Sequence, residues 1–194
     1  KFNAVYGETL VTPEMVLPEN SACLRLPGTD GKAKMSKSLG NCIYLSDTSK
    51  EIKKKVNSMY TDPEHLQITD PGHVEGNVVF TYLDAFCNDE HFAKYLPEYE
   101  NLEAMKDHYR RGGLGDGTCK KFLFNIMEEF LQPMRERRAI YEQNIPQVYE
   151  ILKKGCEVAR AEAAKTLADV RKAMQIDYFD DAELIAEHTK KYQK

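Results

Sequence analysis

The stretch "GTDGKAKMSKSLGN", Gly28 to Asn41, sets Lys34 and Lys37 either side of a Met-Ser pair, with Gly28, Gly31 and Gly40 around them. Two ammonium groups three residues apart on a glycine-flanked loop can converge on one polyphosphate, each as a compact charge on a flexible stem. Ser36 and Ser38 add hydroxyl and backbone donors, while Met35 and Leu39 offer apolar anchors. Such a loop suits closing over a nucleotide and neutralising charge that develops only as a bond at phosphorus breaks. Composition alone favours a plain solvated loop, and the Walker pattern is absent, so the exact string has to carry the reading.

Charge is sorted along the chain around this loop. Arg25 to Lys55 holds eight basic and three acidic residues, a local balance of +5, although the 194-residue chain carries a formal net charge of -4. Asp177 to Glu187 holds five acids, among them Asp180, and no base. An anion meeting the first segment is the natural reading, and the bulk charge argues for no nucleic-acid partner by itself. The five cysteines are scattered, without a C-x-x-C pair or a histidine at zinc-ligand spacing, which predicts reduced thiols in a cytoplasmic protein and no bound metal. No apolar run approaches the roughly 20 residues of a membrane-spanning helix, so no membrane partner is expected.

Proline and glycine punctuate the first forty-odd residues, separating short apolar stretches at Ala22 to Leu26 and Ile43 to Leu45 that read as strands or extended connections. From Asp47 onward helical spacing takes over. Thr48-Ser49-Lys50-Glu51 is a capping-box pattern ahead of Ile52, Val56 and Met59, predicting a helix from about Ser49 to Tyr60. Val78 to Phe86 and Leu102 to Tyr109 repeat at helical period, the second stopped by Gly112-Gly113. A long apolar-faced segment then runs to about Asn144 and should kink at Pro133. A further long helix spans about Pro146 to Gln175 with an apolar face from Leu152 to Met174, and a short acidic helix follows Asp180. The fold class is mainly α, an extended N-terminal piece followed by an antiparallel helical bundle.

Lys34-Met35-Ser36-Lys37-Ser38 matches the signature pentapeptide of class I aminoacyl-tRNA synthetases at all five positions. Its flank "RLPGTDGKAKMSKSLGN", together with "DPGHVEGNVVFTYLDAF", "GLGDGTCKKFL" and "LQPMRERR", resembles bacterial-type tryptophanyl-tRNA synthetases in order and spacing over most of the chain. The resemblance implies that residues 1–47 end a catalytic Rossmann-type domain carrying the KMSKS loop. Residues 48–194 would be an α-helical anticodon-binding region whose last part, about 157–194, packs back on the catalytic domain. It implies ATP with Mg2+ as substrate, bound at Lys34, Met35, Ser36, Lys37 and Ser38, with Lys34 and Lys37 stabilising the triphosphate and Asp30 and Gly31 shaping the turn. The implied partners are tRNA(Trp), tryptophan and a second copy in a homodimer formed through a half of the enzyme not in this sequence. That half would also hold the His-x-Gly-His type motif and the tryptophan pocket, neither of which is present here. The chain is accordingly expected to be a C-terminal fragment, inactive alone.

Lys120 and Lys121 beside Phe122 and Phe124, and Arg135 and Arg138 near Tyr141, join positive charge to aromatic faces, the ingredients for holding unpaired RNA bases and phosphates. Helical period assigns Phe122 to the core instead, and Glu128, Glu129 and Glu136 are near enough to pair with the arginines. Asp70-Pro71-Gly72 reads as a turn, with Asp70 or Asn77 as a helix cap. Two other readings stay open: a tyrosyl-type class I enzyme, and a non-catalytic helical interaction module that keeps a synthetase-like loop.

Overall fold

A computed structural model describes residues 1–179 and 181–193. Its α-helices are α1 (Phe2–Tyr6), α2 (Ser49–Asn57), α3 (Val78–Phe86), α4 (Asp89–Tyr95), α5 (Leu102–Arg111), α6 (Asp116–Glu142), α7 (Ile145–Ala173) and α8 (Ala182–Tyr192). Among the described residues there is no strand, only an isolated antiparallel bridge between Pro27 and Lys34. The apolar stretch at 22–26 begins inside a short 3-10 turn, Ser21–Cys23, rather than a strand. The chain forms two compact units, one of Leu17–Ile140 and one of Lys1–Val16 with Tyr141–Lys194.

The core of the first unit is built around α3. Its sequence, VVFTYLDAF, is apolar nearly all round, and a helix of that kind has to be enclosed. Val79 and Leu83 are fully buried, with Val78, Phe80 and Tyr82 nearly so. Asn77 caps it by accepting from the Val79 amide at 3.1 Å. Against α3 the same core gathers Ile52 and Val56 of α2, Phe92 of α4, Met105 and Tyr109 of α5, and Phe122, Leu123 and Ile126 of α6. Helix α4, which the periodicity did not suggest, contributes its Phe92 ring 4.6 Å from that of Phe122.

The capping box at Thr48 forms as expected. The Thr48 hydroxyl accepts from the Glu51 amide, and the Glu51 carboxylate accepts from the Thr48 amide at 2.7 Å. Helix α2 stops at Asn57, three residues short of the expected end, because the Tyr60 amide leaves the helical ladder and donates to the Thr29 carbonyl at 3.0 Å. Asp116, in the first turn of α6, ties the preceding loop to the bundle. It accepts from the Thr61 hydroxyl and the Tyr109 hydroxyl, each at 2.7 Å. Burial, with Asp116 beside it, pushes the Tyr109 hydroxyl well above the usual phenol range. The buried His65 ring packs against Tyr109 in a tilted arrangement, centroids 4.6 Å apart, its Nδ1 3.4 Å from Asp116.

Helix α6 runs unbroken through Pro133, where the missing N–H leaves the Glu129 carbonyl without its helical donor. Its burial ends at Leu131. In the second unit, α7 starts with Asn144 accepting from the Gln147 amide at 3.2 Å and Pro146 in its first turn. No residue of α7 is buried, so the apolar face expected there stays open, with Leu152 and Leu167 exposed. Asp181 caps α8 by accepting from the Leu184 amide at 2.9 Å, while Asp180 lies outside the described residues. All five cysteines are free, Cys42 and Cys119 buried, Cys23 and Cys156 exposed. Burial pushes the Cys119 and Cys87 thiols up to about 12.

Candidate functional site

The lysine loop is an ordered turn with a buried base. The Gly28 amide donates to the Ala33 carbonyl at 2.7 Å, and Pro27 bridges to Lys34. Two contacts fasten this base to the bundle, the Tyr82 hydroxyl donating to the Pro27 carbonyl at 2.8 Å and the Tyr60 amide to the Thr29 carbonyl. Gly31 turns with φ +69°, where a side chain would also meet Val78 and Tyr60 within 3.0 Å. Gly28 is needed for a different reason: an added Cβ would stand 2.1 Å from the Asn41 amide nitrogen.

Between these anchors the KMSKS residues stand out. Ser36 is extended and starts a 3-10 turn, Lys37–Leu39, which closes at Gly40 in the left-handed region. The Ser36 and Ser38 hydroxyls lie 2.9 Å apart. Lys34 and Lys37 are exposed, and neither takes part in an ion pair among the described residues. By contrast Lys55 pairs with Asp47, Lys94 with Glu129, and Lys106 with Asp84 and Glu103. Lys34 also borders a groove of about 230 Å³ with Arg25, Lys32 and Gly31, which no acidic residue lines. Met35 is half-buried, whereas Leu39 is 61% exposed and anchors nothing in this conformation.

Asp30 shapes the turn by accepting from the Lys32 amide at 3.3 Å and from the Asn41 side chain at 3.1 Å. The Asn41 bond is the chief reason its carboxyl sits below the usual carboxylate range. Asn41 escaped the sequence reading. Its position directly after the glycine that closes the pentapeptide's turn was the only signal.

The other basic candidates differ from one another in their partners and exposure. Lys120 donates to the Asn57 carbonyl at 3.0 Å, filling the open end of α2, while Lys121 is exposed. Arg135 pairs with Glu128 and reaches the Asp47 carbonyl at 3.5 Å, so the neighbouring acid does hold it. Glu129 goes instead to the Tyr95 hydroxyl and Lys94, and Glu136 to Gln132. Arg138 is exposed on the same helix. Phe122 is core, as its period required, and Phe124 takes Lys53 over its ring at 5.9 Å. Asp70 accepts from the Gln67 amide in a turn and Asn77 is the helix cap, which resolves that pair. Among the described residues no group of three or more His, Cys, Asp or Glu side chains is arranged to hold a metal ion. Among the described residues no helix is long and apolar enough to cross a membrane.

The site is thus an ordered turn that presents Lys34 and Lys37, neither in an ion pair among the described residues, beside a helical bundle. The family model "tRNA synthetases class I (W and Y)" matches residues 2–132, and the chain belongs to that family. Within it, the chain is 56% identical over 181 residues to the tryptophan–tRNA ligase of Clostridium longisporum, covering 93% of this chain and 50% of the relative. A tryptophan–tRNA ligase of Streptococcus pyogenes serotype M3 is 52% identical over 179 residues, covering 92% and 51%. The solved tryptophanyl-tRNA synthetase from Campylobacter jejuni, complexed with ADP and tryptophan, superposes with a TM-score of 0.64 at 26% identity, covering 90% of this chain and 50% of that one. The enzyme from Mycoplasma pneumoniae shares the fold at a TM-score of 0.67 and 20% identity, covering 91% of this chain and 52% of that one. The chain spans about half the length of the curated relatives it matches.

Proposed function

We propose that this chain is the part of a tryptophan–tRNA ligase that supplies the KMSKS loop and the tRNA-binding helices. The parent would join tryptophan to ATP as tryptophanyl-adenylate, release pyrophosphate, and pass the aminoacyl group to tRNA(Trp) in the cytoplasm. The observation that carries this reading is the pair of exposed, unpaired ammonium groups on a turn whose backbone is fixed from beneath. Negative charge moves onto the pyrophosphate as the bond to the α-phosphorus breaks, so cations already placed around the β- and γ-phosphates favour the transition state over the ground state. Lys34 and Lys37 fill that role, Ser36 and Ser38 offer hydroxyl donors, and Mg2+ arrives with ATP as part of the substrate.

Residues 1–47 on this reading close the Rossmann-type catalytic domain, and 48–194 form the anticodon-binding region, its last part, about 157–194, packing back on the catalytic domain. The family implies a homodimer formed through the catalytic half. Lys120, Lys121, Arg135 and Arg138 are the candidate RNA contacts. Lys121 presents exposed charge, while Arg135 and Lys120 would first have to release Glu128 and the Asn57 carbonyl. Binding of this chain to tRNA(Trp) and to the same tRNA with an altered anticodon, at two salt concentrations, tests the assignment. A preference lost with the altered anticodon supports it; equal, steeply salt-dependent binding to both reduces the contact to non-specific phosphate attraction. The chain alone should show no tryptophan-dependent exchange of pyrophosphate into ATP.

A further inference from the structure

Asn41 is 4% exposed and uses every polar atom of its side chain on the lysine loop. Its Oδ1 accepts from the Ser36 amide at 2.8 Å, and its Nδ2 donates to Asp30 Oδ1 at 3.1 Å and to the Lys34 carbonyl at 3.3 Å. Its own carbonyl accepts from the Thr29 amide at 3.0 Å. One residue thereby holds the loop at 29, 30, 34 and 36. Two of those points, the Lys34 carbonyl and the Ser36 amide, flank Met35, the first of the two residues between the lysines. A carboxamide has the acceptor and the donors that this set of contacts needs; a carboxylate lacks the donors, and an aliphatic side chain lacks both.

We propose that Asn41 is the positioning residue of the KMSKS loop, setting the backbone course from Lys34 to Lys37 so that both ammonium groups reach one triphosphate. The inference rests on the polyphosphate reading above and adds the part that makes it geometric. Asn41 touches no phosphate, because its polar atoms are all engaged within the loop. It acts by ordering the backbone beforehand, so that binding does not have to supply that order. Gly28 belongs to the same arrangement, since only a residue without Cβ leaves room for the Asn41 amide.

The test measures calorimetric binding of inorganic tripolyphosphate to the 194-residue chain at low salt, together with hydrogen exchange at the Ser36 amide. Asn41→Ala is expected to weaken tripolyphosphate binding about tenfold, the scale of a lost internal hydrogen bond, and to speed exchange at Ser36 while the amides of α3 stay protected. Asn41→Asp alone sets two carboxylates face to face; adding Asp30→Asn removes that repulsion but returns no donor to the Lys34 carbonyl, so the affinity should recover only in part. That reciprocal pair also carries the test if Asn41→Ala does not fold. Faster Ser36 exchange with unchanged affinity overturns the positioning role, and unchanged Ser36 exchange overturns the tether itself. The polyphosphate reading fails separately: tripolyphosphate binding that is absent, or that survives Lys34→Ala with Lys37→Ala, defeats it whatever the Ser36 amide does.

Discussion

Gly28 and His73 show how single residues are committed by their neighbours. Gly28→Ala would drive a methyl group into the Asn41 amide at 2.1 Å and towards Asp30 at 2.8 Å. The expected outcome is a displaced loop, seen as faster exchange at the Ser36 amide, with the thermal midpoint of the bundle little changed. His73 donates from its backbone to Asp62 at 2.7 Å and lies with its ring Nδ1 2.8 Å from the same carboxylate. That hydrogen bond, and then the charge of Asp62, raise the imidazole above its ordinary 6.5. Asp62 itself is pushed up by burial, but the amides of Glu64 and His73 and the imidazole outweigh this and leave it lowered. A raised histidine contributes stability that is full below 6.5 and is lost as pH climbs through its folded value; the lowered carboxylate contributes above its ordinary value and is lost as pH falls. An NMR titration should find the His73 midpoint above 6.5, and Asp62→Asn should return it to the ordinary range.

At the scale of elements, α2 and α3 represent two ways of making a helix. Helix α2 depends on its ends: Thr48→Ala removes the cap and should cost about 1 kcal/mol in a urea titration. Helix α3 depends on enclosure, and Leu83→Ala at full burial should cost about 2 to 5 kcal/mol. Both helices were legible in the sequence, the first through its capping box and the second through apolar spacing flanked by Asn77. The early end of α2 was not, because the group that ends it is the Thr29 carbonyl, thirty-one residues from Tyr60 in the chain. Local pattern carries no trace of such a partner. Helix α4 escaped for a related reason: with seven residues and one buried side chain, Phe92, it offers no repeat to detect. In the candidate site the lysines announced themselves by string, whereas Asn41 became visible only when its side-chain bonds to Asp30, Lys34 and Ser36 could be traced.

For the whole molecule, the contrast lies between a unit with a filled core and one whose long helix buries nothing. If the open face of α7 is not part of the packing of this chain, Leu152→Gln should change the unfolding free energy by no more than about 0.5 kcal/mol, in contrast to Leu83→Ala. A larger loss in denaturant titrations would mean that Leu152 is covered in solution. The charge sorting works at this scale as well, since the positive segment from Arg25 to Lys55 lies wholly in the unit that presents the lysine loop.

The distribution of thiols has a practical consequence. Of the five, Cys42 and Cys119 are enclosed and Cys87 is half-buried, with burial pushing its thiol up to about 12, while Cys23 and Cys156 are open to solvent. One belongs to each compact unit. Two maleimide dyes placed at these native positions would form a spectroscopic ruler between the units, and energy transfer recorded with and without tRNA would report any change in their separation.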